Sequence, residues 1–353
     1  MMKREKRFLL IMREYVLGGA EIQFRYLIEY AEQHKWKMDV VIVHDLKKKD
    51  DALREAMARM KSIRFYEFSG DRYKVLIHIL KKLFHTKYKS CLIYYPPDLA
   101  LAPFMHMIRI QVIYSERVDA AEIKSSTYYQ GCLKFCSRIL ANSKYAKEEL
   151  AKLTGKNVTL IRNGKPAVSQ LPTKAGGEIC RILVPARIAP PKNQLLPLYY
   201  LKDSQTFTGK IVFAGLAEDR AYYGKLKQFV RKNGLQDKVE FLGHVEEMEK
   251  EYRKADLVLL PSFAEGTPNI VLEAYAYGRP VIVSDIKVER EIVQNSKLRF
   301  KVNDPEGIGR CIKYLQEMPA DSYSHLIERN RKTVVQNYSI EKMAESFYGI
   351  LDN

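Results

Sequence analysis

No stretch of about 18 apolar residues occurs in this chain of 353 residues, so nothing in it reads as a membrane-spanning helix. The apolar run nearest the N-terminus, "FLLIM" (8–12), is too short for the core of a secretion signal and reads as a first buried strand. Cysteines are few: Cys91, Cys132, Cys136, Cys180 and Cys311. Only Cys132 and Cys136 lie close together. No second pair or histidine set joins them, so zinc spacing is absent and reduced thiols are expected. His78, His85, His106 and His244 form no metal set either. The glycine pattern Gly-x-Gly-x-x-Gly is missing, which removes the usual dinucleotide fingerprint. There is no internal repeat, no low-complexity segment and no recognisable RNA-binding module.

What is present is a strongly basic, folded composition. Hydrophobic residues make up 46% and charged residues 29%, with a net charge of +17. Residues 1–165 hold 32 Lys and Arg against 18 Asp and Glu; the remainder holds 27 against 24. One half therefore carries nearly all the excess, which suits an anionic partner such as nucleic acid or an anionic membrane surface. Within that half, "DRYKVLIHILKKLFHTKYKS" (71–90) places Val75, Leu76, Ile79, Leu80, Leu83 and Phe84 at helical spacing. Lys74, Lys81, Lys82, Lys87 and Lys89 surround them. Two readings stay open: a core-facing helix with a basic outer face, or a helix lying in a membrane interface.

Strand-length apolar runs alternate with helix-length stretches: 8–12, 38–44, 91–95, 110–115, 138–142 and 158–164. Such near-continuous Val/Ile/Leu runs suit parallel strands buried on both faces. The Pro-, Gly- and Ser-bearing stretch 165–178 interrupts them and reads as a linker. Alternation resumes at 180–187, 210–215, 238–243, 255–262 and 279–285. The expectation is an α/β protein of two doubly wound domains, 1–168 and 169–335, facing across a cleft. A last helix, within 336–353 and capped by Ser339, packs back on the first domain. Ligands of such sheets bind beyond the carboxyl ends of the strands.

Three stretches carry chemistry. In "EGTPNIVLEAYAYGRP" (265–280), Thr267 suits a helix N-cap and Pro268 the first helical position, with the helix running from Asn269 to about Tyr277 and stopped by Gly278. Its N-terminus offers free N–H groups and a positive dipole end to a phosphate. Glu265 precedes it, and Glu273 lies about 7.5 Å along it from Pro268. Carboxylates favour hydroxyls over phosphate, so the arrangement suits a phosphate flanked by sugars, a nucleotide sugar. The plain alternative is a solvated loop acid and an exposed helix acid. In "VPARIAPPKNQ" (184–194), Arg187 and Lys192 follow a strand and could neutralise a leaving diphosphate without a metal, or be ordinary surface charge. In "LGGAEIQF" (17–24), Gly18 and Gly19 open a helix and permit close approach to a ligand, or form a plain turn.

Together these stretches resemble the GT4 glycosyltransferases, whose fold is GT-B. "EGTPNIVLEAYAYGRPVIVSD" matches that family's Glu-x7-Glu region, and "ARIAPPKN" its Arg-x4-Lys loop. "LGGAE" matches its N-terminal glycine loop, and "ANSKYAKEEL" with "VTLIRNGK" the end of its first domain. The resemblance implies an acceptor-binding first domain and a nucleotide-sugar-binding second. It implies that Glu265 binds donor-sugar hydroxyls, Glu273 the ribose, and Arg187 with Lys192 the diphosphate. Residues Gly266, Thr267, Pro268 and Asn269 would line the sugar phosphate, and Gly243, His244 and Val245 would lie near the base. Gly18 and Gly19 would approach the donor phosphate and the acceptor. It implies transfer with retention, no metal and no other cofactor, and UDP as the favoured carrier. The first-domain histidine of many relatives is missing here. "YSERVDAAE" (114–122) offers Glu116 and Asp119 toward donor sugar or acceptor, unless Glu116 pairs with Arg117 to brace the loop. A lipid-linked glycan acceptor at the cytoplasmic leaflet would explain the basic half, with the protein cytoplasmic and peripheral on the inner face of the plasma membrane. The alternatives are a nucleotide-sugar epimerase, a phosphorylase (whose pyridoxal lysine is not recognisable), or a non-catalytic nucleic-acid binder, although no nucleic-acid partner is expected.

Overall fold

The computed structural model describes residues 7–13, 19–44, 55, 59–69, 79, 81, 86–117, 120–166, 168, 177–267 and 269–353. It divides into two compact units. One comprises residues 1–164 and 339–353, the other 165–338.

The first unit holds a parallel sheet of strands β1 (Arg7–Arg13), β2 (Met38–His44), β3 (Ile63–Ser69), β4 (Tyr88–Ile93), β5 (Gln111–Glu116), β6 (Arg138–Ala141) and β7 (Val158–Leu160). Their order across the sheet is β3-β2-β1-β4-β5-β6-β7. β1 is an interior strand: Leu10 sits opposite Val40 of β2 on one side and Leu92 of β4 on the other. Its apolar run is unbroken because both faces are covered. Leu9 and Ile11 join a core with Ile93, Val112 and Tyr114, whereas Phe8, Leu10 and Met12 join another with Phe24, Leu27 and Phe347. β3 was not among the apolar runs, since "IRFYEFS" interleaves Arg64 and Glu67 with its apolar residues, as a sheet-edge strand can. A buried carboxylate ties four strands together. Asp39 of β2 accepts from Arg7 of β1 at 3.0 Å, Arg64 of β3 at 2.9 Å and the Tyr88 hydroxyl of β4 at 2.6 Å. The helix Ile340–Asp352, capped by the Ser339 side chain, completes this unit. Phe347 packs near Phe24, Tyr348 lies 4.5 Å from Trp36, and Ser90 donates to the Leu351 carbonyl at 3.0 Å. Gly164 lets this helix approach: a Cβ there would lie 2.8 Å from the Ile340 Cα.

The second unit holds β8 (Arg181–Pro185), β9 (Lys210–Ala214), β10 (Val239–Gly243), β11 (Leu257–Leu260), β12 (Val281–Ser284) and β13 (Arg299–Phe300), all parallel, in the order β10-β9-β8-β11-β12-β13. The two-residue β13 is too short to show a period in sequence. From β8 the chain winds to β9 and β10 on one side, then returns to β11 on the other. The point where the order reverses, between β8 and β11, is where such sheets bind ligands.

Candidate functional site

The loops leaving β8 and β11 at the reversal point carry the charges singled out in the sequence. After β8 come Arg187 and the 3-10 turn Pro190–Lys192; after β11 come Ser262 and Glu265. The two loops are tied by backbone and amide bonds. Phe263 N–H donates to the Pro191 carbonyl at 2.9 Å. Asn193 donates to the Pro261 carbonyl at 3.1 Å; within the loop after β8, Gln194 donates to the Arg187 carbonyl at 2.8 Å. Close packing of β8 on β9 at this end needs a glycine: a Cβ on Gly215 would lie 2.1 Å from the Ala186 carbonyl oxygen.

Lys192 Nζ lies 2.7 Å from Glu265 Oε1, and the Ser262 hydroxyl donates to the same oxygen at 2.6 Å. The side chains of this pair are only 18% and 10% exposed, so Glu265 is not a solvated loop acid. Arg187 does not join Lys192 as a second cation on a shared acid. It turns to Glu218 at 2.7 Å, and both side chains are more than half exposed. An ion pair in that setting contributes about 0–1 kcal/mol, so it leaves Arg187 free to change partner.

Glu273 lies on the helix Asn269–Ala276. Lys165 Nζ sits 2.6 Å from one of its oxygens, and the Tyr252 hydroxyl donates to the other at 2.8 Å. Lys165 is almost wholly buried, while Glu273 keeps 31% of its side chain exposed. Glu273 is therefore not a freely exposed helix acid. Burial, followed by the Glu273 charge, pushes the Tyr252 phenol well above its ordinary range, so it stays a donor. Tyr277 stacks on Tyr252 at 5.3 Å. The two glutamates, eight positions apart, are each held by a different lysine.

The remaining sequence candidates fall as follows. Gly266, Thr267 and Asn269 are half-buried, and the Asn269 N–H donates to the Thr267 carbonyl at 2.8 Å. Gly243 ends β10 in the left-handed region, φ 68°, with its carbonyl accepting from Gly215 N–H; His244 is exposed and Val245 half-buried. Gly19 begins the helix Gly19–Gln33. Gly18, Asp119 and Pro268 lie outside the described residues, as does most of the basic stretch 71–90.

In the first unit Glu116 is buried at the end of β5, with its two oxygens taken by the Tyr114 hydroxyl and the Arg117 N–H, each at 2.9 Å. The Arg117 guanidinium does not brace the loop by pairing with Glu116. It donates to Asn163 Oδ1 at 2.9 Å and lies over the Phe24 and Phe347 rings. Burial lowers its pKa to about 9, and Glu116 works against that shift.

Sequence reasoning passed over Lys165, Tyr252, Ser262 and Glu218. Each reaches its partner through the fold; Lys165 and Glu273 are 108 positions apart. No local pattern marks such a pairing. Among the described residues no group of three or more His, Cys, Asp or Glu could hold a metal ion, and no helix is long and apolar enough to cross a membrane.

Residues 181–317, which contain Arg187, Lys192, Glu265 and Glu273, match the family model described as Glycosyl transferases group 1. The O-antigen chain mannosyltransferase RfbU of Salmonella typhimurium is 34% identical over 128 residues, 34% of this chain and 36% of that protein. The lipopolysaccharide core biosynthesis mannosyltransferase LpcC of Rhizobium leguminosarum is 30% identical over 139 residues, 39% of each chain. The matched stretch thus spans little more than a third of these relatives. Among solved structures, HepE of Anabaena in complex with UDP and glucose superposes with a TM-score of 0.82 at 15% identity, covering 98% of this chain and 99% of that one. Sucrose-phosphate synthase from Thermosynechococcus elongatus gives 0.76 at 17% identity, covering 98% of both. At those identities the likeness establishes the fold, which is GT-B. These comparisons favour neither the epimerase nor the nucleic-acid-binding alternative.

Proposed function

We infer that this chain, which carries a group 1 glycosyltransferase domain at residues 181–317 within a GT-B fold, is a retaining glycosyltransferase of cell-surface polysaccharide assembly. It moves a sugar from a nucleotide-sugar donor to a glycan acceptor. The observation that carries the reading is the placement of Lys192, Glu265 and Arg187 on the two loops at the reversal point, with Glu273 one helix away. RfbU and LpcC, both named mannosyltransferases, support transfer of a hexose; HepE, solved with UDP and glucose, supports UDP as carrier.

The geometry leaves room for these roles. A lysine ammonium has three N–H donors, so Lys192 can keep Glu265 and still donate to diphosphate oxygens. Arg187, released from its exposed pair, presents a planar fork to the same group. Each carboxylate oxygen accepts more than one bond, so Glu273 can receive two ribose hydroxyls while Lys165 and Tyr252 hold it in place. Glu265 likewise accepts from donor-sugar hydroxyls. Negative charge developing on the leaving phosphate is met by Lys192 and Arg187, on the face from which the acceptor attacks. No metal is needed for that neutralisation.

The test is a thermal-shift panel of UDP, GDP, ADP and their common sugar conjugates, run in EDTA and again with divalent metal added. A ligand bound only by the folded state adds about 2.7 kcal/mol at roughly 100 times its Kd. A shift with UDP or UDP-sugars is expected. No shift with any nucleotide overturns the reading, and a shift that needs divalent metal overturns its metal-free form.

The acceptor is taken to be lipid-linked, met at the cytoplasmic face of a membrane through the basic first unit. Each Lys or Arg close to an anionic surface contributes about 1 kcal/mol, lost as salt rises. The chain should co-sediment with phosphatidylserine-containing vesicles at low salt and be released at high salt. Absence of binding at low salt removes the membrane from the proposal.

A further inference from the structure

Glu289 lies in the short helix Lys287–Arg290 that follows β12, next to β11 in the sheet. Its side chain is fully buried, and neither carboxyl oxygen has a hydrogen-bond partner. A buried ionised carboxylate without a cation or N–H donor of its own is very costly, so the group is held as the neutral acid. Even neutral, an unsatisfied buried carboxyl costs stability, and native structures rarely keep one without a use for it. The charged groups facing it belong to the candidate site. Glu265 comes from the loop after β11 and Lys192 from the loop after β8; from the helix Asn269–Ala276 it faces the neutral phenol of Tyr275. Burial pushes the Glu289 carboxyl well above the usual carboxylate range. Glu265 pushes it the same way, and Lys192 opposes both.

We propose that Glu289 is a positioning residue for the Lys192–Glu265 pair: as a neutral acid facing it, it leaves Lys192 bonded to one carboxylate rather than two, and so free to turn to a phosphate. Ionised, it would draw the ammonium inward, away from the ligand. In its neutral form Glu289 gives the three groups together no net charge. This deepens the donor-site reading and rests on it.

Two consequences follow from the proton it carries. The folded state holds this proton and the unfolded state releases it above about pH 4.3, so stability is fullest below that value and falls as pH rises toward the raised folded-state pKa. In that window one proton is taken up on folding, and the folding constant drops up to about tenfold per pH unit. Phosphate binding should also weaken as pH rises through that raised value and Glu289 ionises.

The test uses the full chain and Glu289→Gln, a neutral group of the same shape, with Glu289→Leu read in parallel. Thermal unfolding without ligand, from about pH 5 to about pH 8, should show the proton uptake in the wild type and its loss in both variants. Calorimetry with UDP, carried up in pH past the point where the wild-type unfolding slope levels off, should show affinity falling more steeply in the wild type than in Glu289→Gln, with the two alike below that point. Equal pH slopes in unfolding overturn the proposal, whatever nucleotide binds. Equal pH dependence of UDP affinity in wild type and variant also overturns it. Failure of the wild type to bind UDP, GDP or ADP at any pH instead removes the donor-site reading, and with it the phosphate role of the pair.

Discussion

Lys192→Met is expected to lower kcat by about 10²-fold or more, the usual loss when a group that stabilises developing charge is removed. The same change strips Glu265 of its cation while the carboxylate stays 10% exposed. Breaking one side of a largely buried pair costs up to about 3–5 kcal/mol, so the variant should also unfold earlier in urea. The two effects separate in Lys192→Met/Glu265→Gln. Neutralising the stranded acid should return much of the stability, because the Ser262 hydroxyl can still donate to the amide oxygen. It should not return kcat. Arg187→Ala supplies the contrast, since its exposed pair with Glu218 contributes little to stability. That variant should unfold like the wild type yet turn over more slowly. Full activity in Lys192→Met would rule out its role at the leaving diphosphate.

Glu273→Gln should raise the donor Kd by about 10- to 150-fold, the equivalent of one hydrogen bond to a charged group. The buried Lys165 then faces an amide in place of its carboxylate, so a fall in stability accompanies the change. A chemical substitution in the ligand isolates the binding part. The wild type should bind 2′-deoxy-UDP more weakly than UDP, whereas Glu273→Gln should discriminate less between them. Lys165→Met should move in the same direction, because the carboxylate keeps only Tyr252 to hold it. Unchanged UDP affinity in Glu273→Gln would falsify the ribose assignment. Discrimination against 2′-deoxy-UDP that survives in the variant would place the ribose elsewhere.

The parallel architecture was legible because a strand covered on both faces must be apolar throughout, and runs such as 8–12 and 181–185 say so without any partner. β3 and β13 escaped notice for opposite reasons. One is an edge strand that keeps polar residues; the other is two residues long. The Glu-x7-Glu stretch was equally legible as a family mark, since its turn residues and helix lie within one continuous segment. Its electrostatic state was not. Whether Glu265 is solvated or gripped depends on Lys192, 73 positions away, and the state of Glu273 depends on Lys165, 108 positions away.

The sequence by itself therefore determined the class of the fold, the repeat of strand and helix, and the segment bearing the family signature, all properties of neighbouring residues and their periodicity. Only the tertiary structure decided which cation answers which carboxylate, that Arg187 and Lys192 part company, that the Arg117 guanidinium turns from Glu116 to Asn163, and that Glu289 is sealed from solvent. Charge pairing and burial depend on distance in space and on exclusion of water. Both are set when strands come side by side, β8, β11 and β12 in one unit and β5, β6 and β7 in the other, and neither leaves a trace in the local order of the chain.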